Sequence, residues 1–145
     1  MAFQFTLEKV LTVKENEKNV VEVEYRDAYR DFEKIANVLY EFLKQKELIE
    51  QRQSEEMAKG ASIEYVKRLQ TNMELLQQRI DQYQQFYQDA RLNAEKKKEL
   101  LMERSIDVKR YEKLRDIQYD EFLKGMKAEE RSTLDEISTI RHMQQ

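Results

Sequence analysis

VEVEYRDAYRDFEKIANVLYEFLKQKELI, residues 21–49, decides how this chain folds. Counted from Val21 in alternating steps of four and three, it visits Val21, Tyr25, Ala28, Phe32, Ile35, Leu39, Phe42, Lys46 and Ile49. Eight of those nine positions are apolar, and the residues between them are mostly charged, as at Arg26-Asp27 and Arg30-Asp31. That spacing places a narrow apolar stripe on a helix, the a and d seam of a coiled coil. Upstream the same register passes through Lys14 and Lys18, where the seam weakens. Leu7, Val10, Leu11 and Val13 form a broader apolar patch ahead of it. The pattern predicts a first helix from about Phe5 to about Gln53.

A break follows over about residues 54–61, which contain the first glycine. Gly60 suits the left-handed conformation that follows a helix C-terminus. Ser62 is placed to cap the next helix, with Glu64 in its positive first turn. The alternating count resumes at Val66 and runs through Leu69, Met73, Leu76, Ile80, Tyr83, Tyr87, Ala90 and Ala94 before it meets Lys97. Beyond that it is mixed: Leu101, Arg104, Val108, Tyr111, Arg115, Gln118 and Phe122. Leu114 and Ile117 lie one residue off this register, which suggests that the stripe drifts. The second helix is expected over about residues 62–130. Thr133 with Glu136 makes a capping box, so a short C-terminal helix or a frayed tail is expected over about residues 133–145.

Composition points the same way. Proline and cysteine are absent and glycine occurs twice, at Gly60 and Gly125. Turns draw their backbone geometry from glycine and proline, so this chain reverses rarely. The expected fold is all-α, two long helices forming an antiparallel coiled-coil hairpin with unequal arms. If Ile49 faces Val66 across the loop, facing residues sum to about 115, with Phe42 near Met73, Phe32 near Tyr83 and Leu7 near Val108. Lys96-Lys97-Lys98 then faces Glu15 and Glu17. The first helix is used up near residue 110, and the rest of the second overhangs by roughly 45 Å at 1.5 Å per residue.

Most catalytic chemistry is excluded. The one histidine is His142, so neither a Ser-His-Asp triad nor a multi-histidine metal site can be built within the chain. Two distant glycines make no phosphate-cradling loop, and the absence of cysteine removes thiolate chemistry. No cofactor or metal is expected. The charges, 26 basic against 29 acidic, are mixed throughout. They lack the basic excess of a strong nucleic-acid binder. No apolar run is long enough to span a bilayer, and the first nine residues lack the core of a signal peptide. A paired helical chain without a pocket works by binding, spacing or transmitting force. Three classes follow: a stalk or adaptor in a larger machine, a structural scaffold, and a nucleic-acid-associated helical protein.

Residues 96–115 hold eight basic and four acidic side chains, and residues 116–136 hold three basic and seven acidic. Local charge thus reverses from +4 to −4 where the first helix runs out. Leu114, Ile117, Phe122, Met126, Leu134, Ile137 and Ile140 are still present there. Most helical stability comes from packing, so this arm is expected to meet a partner.

The opening Met1-Ala2-Phe3-Gln4-Phe5-Thr6-Leu7-Glu8-Lys9-Val10-Leu11 with Lys14-Glu15-Asn16-Glu17 resembles the start of the FliJ proteins of bacterial flagellar export. So do the loop Met57-Ala58-Lys59-Gly60-Ala61-Ser62, the segment Ile80-Asp81-Gln82-Tyr83 and the segment Val108-Lys109-Arg110-Tyr111-Glu112-Lys113-Leu114-Arg115. The resemblance covers essentially the whole chain. It implies a cytoplasmic, non-enzymatic antiparallel coiled coil similar to the central stalk of rotary ATPases, peripheral at the cytoplasmic face of the inner membrane at the flagellar base. The implied partners are the hexameric flagellar export ATPase, the cytoplasmic domain of the export-gate membrane protein and flagellar export chaperones. The resemblance places a gate contact beside the loop, at Phe42, Ile49, Leu76 and Tyr83. All four also lie on the seam, where packing alone accounts for them. Leu114, Ile117, Phe122 and Met126 are the candidate contacts to the ATPase ring. The alternative is a generic scaffold or secretion-chaperone coiled coil without an ATPase partner.

Overall fold

The structure, a computed structural model, describes residues 2–144 and contains two helices, α1 (Glu8–Ala58) and α2 (Ile63–Met143). Met1 of the opening block and Gln145 of the expected tail lie outside the described residues. The helices pack antiparallel as a hairpin with unequal arms, and no strand occurs among the described residues. The α1 helix runs five residues past its expected end, because Ser54-Glu55-Glu56-Met57-Ala58 contains nothing that breaks a helix.

Gly60 ends it, at φ +73°. The Ala61 N–H donates to the Glu56 carbonyl at 3.0 Å, and the Gly60 N–H donates to the Met57 carbonyl at 3.2 Å. This pair of bonds closes a helix on a left-handed residue and satisfies its last carbonyls. Ser62 Oγ then accepts the Tyr65 N–H at 3.3 Å, capping α2. No break appears at Ser132-Thr133, and α2 runs straight through it. A capping box supplies a possible start, but nothing upstream of it stops the helix.

The contacts fall into two packing units: Val21–Leu101, and the residues up to Val20 together with those from Met102 onward. In the loop-end unit, every seam position from Val21 to Ile49 and from Val66 to Leu101 is buried or half-buried. Its core is Leu39, Leu76 and Ile80, with Phe42, Ile49, Tyr83 and Tyr87 packed around them. In the terminal unit the core is Phe5, Leu11 and Val108, with Phe3, Leu7 and Tyr111 against it.

The seams are as expected, and Leu7 packs against the cluster that holds Val108 as expected, but the facing pairs of the loop-end unit are shifted. Phe42 meets Tyr83, with ring centroids 5.2 Å apart, where Met73 was expected. Phe32 meets Tyr87 at 5.1 Å, and not Tyr83. Lys97 Nζ binds Glu24 Oε2 at 2.8 Å, where Glu15 and Glu17 were expected to face the lysine run. The numbers of these pairs sum to between 119 and 125, around twice the midpoint of the turn at Gly60-Ala61. The count of about 115 came from centring the loop too early.

The seam does not drift either. Arg115 and Gln118 stay half-buried on the original register, while Leu114 and Ile117 are exposed. Long polar side chains tolerate that position by laying their stems on the partner.

The two glycines should respond oppositely to alanine. Gly60→Ala forces a side chain into the left-handed region and should cost about 1–2 kcal/mol. Gly125 is helical with open space around its Cβ position, so Gly125→Ala should stabilise its helix by about 0.5–1 kcal/mol. Thermal unfolding followed by circular dichroism checks both signs.

Candidate functional site

Two stretches combine exposed apolar surface with a defined place in the hairpin: the loop end and the C-terminal part of α2. At the loop end, the four residues singled out beside the loop all face the other helix. Leu76 is 7% exposed, and Phe42, Ile49 and Tyr83 are half-buried around it. Phe42 and Tyr83 stack edge to face, with ring planes at 76°. Tyr83 also contacts Phe86 at 5.3 Å, and Phe86 is exposed. The fold therefore brings the four together as one packed layer rather than as four protruding side chains. The exposed apolar groups nearby are Leu48, Met57, Ile63 and Leu75. Gln53 Nε2 donates to Gln70 Oε1 at 3.2 Å across the seam close to the turn.

In the terminal unit, coverage of α2 extends further than the first helix alone would take it. Residues 2–7 precede α1 in non-helical form. The ring of Phe3 lies 5.2 Å from Tyr119 and 5.5 Å from Phe122. Coverage thus ends near Phe122, not near residue 110. From Leu123 to Gln144 every residue is exposed, including Leu123, Met126, Leu134, Ile137 and Ile140. Of the four candidate ring contacts, Leu114, Ile117 and Met126 are exposed, and Phe122 is half-covered by Phe3. Phe3-Gln4-Phe5-Thr6-Leu7 alternates with period two, the signature of an extended segment on a surface. That alternation was the available signal for this contact, hidden by reading the residues as the start of a helix.

Among the described residues, no three His, Cys, Asp or Glu side chains gather as a metal set. No described helix is long and apolar enough to cross a membrane. The chemistry on offer is apolar docking with charged rims.

If Phe42 and Tyr83 act mainly on each other, their alanine substitutions should couple. A double-mutant cycle on thermal or urea unfolding should give about 0.5–1.5 kcal/mol of interaction energy. Independent effects would show that the rings do not hold the layer together.

The family model described as "Flagellar FliJ protein" matches residues 3–145. A curated relative, the flagellar FliJ protein of Bacillus subtilis (strain 168), is 36% identical over 143 residues, covering 99% of this chain and 97% of the relative. No solved structure matches the chain significantly. The match in sequence from end to end, on a two-helix hairpin, means that the chain belongs to the flagellar FliJ protein family.

Proposed function

We propose that this chain is a non-enzymatic stalk or adaptor of the flagellar type III protein export apparatus. In this reading it couples the hexameric export ATPase to the cytoplasmic domain of the export-gate membrane protein, and it also meets flagellar export chaperones. It works in the cytoplasm, peripheral to the inner membrane at the flagellar base. Family membership supports the flagellar role. The way in which the two helices divide their surfaces supports the finer assignment.

One observation carries it: α2 leaves the packed seam after Phe122 and continues fully exposed for more than twenty residues, with large apolar side chains still along it. An exposed helix gains little stability from such residues. A partner that covers them gains roughly 1.5–3 kcal/mol for each side chain fully buried. Leu114, Ile117, Phe122 and Met126, followed by Leu134, Ile137 and Ile140, are assigned to the ATPase. The acidic excess of residues 116–136 would steer that encounter.

The loop end is assigned to the gate. Phe42, Ile49 and Tyr83 can offer their exposed edges there. Leu76, beneath them, holds the layer in shape. Leu48, Met57, Ile63 and Leu75 supply exposed apolar surface next to it.

Deleting residues 123–145 removes no described residue that is packed against the rest of the chain. The seam should unfold at nearly the same temperature, and binding to the cognate export ATPase should weaken at least tenfold, the loss of about 1.4 kcal/mol. Calorimetry and a binding titration read the two effects separately. A truncated chain that binds the ring as tightly as the full one would assign docking elsewhere.

A further inference from the structure

The segment before α1 grips α2 in two unequal ways. Its side chains alternate, with Phe3, Phe5 and Leu7 turned inward and Ala2, Gln4 and Thr6 exposed. Phe5 is the anchor. It is buried in one cluster with Leu11 and Val108, and its carbonyl accepts the Glu8 N–H at 3.2 Å. Phe3 is only half-buried, and its ring rests edge-on against Tyr119 and tilted against Phe122. Tyr119 remains 45% exposed even so.

Those two rings stand where the covered part of α2 ends. Tyr119, Leu123 and Met126 are spaced four and three apart, so they share one face of the helix. Leu123 and Met126 are exposed. Phe3 therefore sits on the root of the apolar stripe that continues along the arm.

We propose that residues 2–4 are a strap that lifts from α2 about the Phe5 anchor without unfolding either helix. Lifting adds Tyr119 and Phe122 to the surface on which the export ATPase docks; this second half rests on the docking reading given above. Peripheral contacts open at lower free energy than the packed core. A partner that needs the lifted state binds more weakly by the fraction of chains in which that state is populated. The strap would thus hold back docking until a ring competes for the two aromatic side chains.

The chain contains no tryptophan, so Phe3→Trp installs a unique fluorescent reporter. In the free protein its emission should be blue-shifted, and in urea it should move to the red well before circular dichroism records loss of helix. Coincident transitions, or an indole already exposed without urea, would overturn the strap. Adding the cognate export ATPase should move the emission to the red. Phe3→Ala should bind that ring roughly threefold to tenfold more tightly than the native chain. Emission that stays blue on a bound ring, or a Phe3→Ala chain that binds no better, would overturn the second half of the proposal. A ring that binds neither chain defeats the docking reading instead, and the urea transitions still decide whether the strap lifts.

Discussion

The left-handed residue at Gly60 sets the register of everything that follows. Its φ of +73° ends α1, and Ser62 starts α2 two residues later. With both helices fixed at their turn ends, the pairing of each later layer of the loop-end unit is determined by counting outward, as where Phe32 meets Tyr87 and Glu24 meets Lys97. Moving the turn by three residues would change each facing pair by nearly two turns of helix. A single backbone conformation therefore decides which residues of α2 meet which residues of α1 in that unit.

The seam that results is uneven. Leu39, Leu76 and Ile80 make a dry centre in the loop-end unit, with Ile80 only 1% exposed. Lys97, on the same seam, reaches out to Glu24 instead of packing. Both side chains are substantially exposed, so the pair contributes at most about 1 kcal/mol. It does more to disfavour other registers, because a shifted helix would bring Lys97 against a different set of charges. In the terminal unit, Arg115 and Gln118 face inward where an apolar residue would pack better. Phe3 and Phe5 supply aromatic surface on that stretch.

Much of this was legible in the residues. From Val21 onward the three-four count named every fully buried residue of both helices, because a seam is a local property repeated by an uninterrupted helix. The register depended on something less local, the exact point at which α1 stops. Ser54-Glu55-Glu56 looks like a loop by composition and forms helix all the same, since only Gly60 supplies a stop. The strap was missed for a related reason. Phe3, Phe5 and Leu7 fit an extended segment better than a helix, but their neighbours continue directly into the helical pattern. The candidate contacts near the loop show the limit of reading function from apolar character. Phe42, Ile49, Leu76 and Tyr83 are apolar because they pack in the seam, and a surface role for any of them requires an edge that stays exposed. The exposed arm was visible as a surplus of apolar residues, though its starting point required the register.

That register can be measured directly, since the native chain has no cysteine. Glu24→Cys combined with Lys97→Cys places two thiols where the 2.8 Å ion pair stands, and a short bifunctional reagent should join them within one chain. Glu24→Cys combined with Arg91→Cys places them where a turn centred earlier would have paired them. The account predicts efficient cross-linking of the first pair and little of the second. Efficient cross-linking of the second pair and not the first would contradict the register, and with it the place on α2 where the covered seam gives way to the free arm.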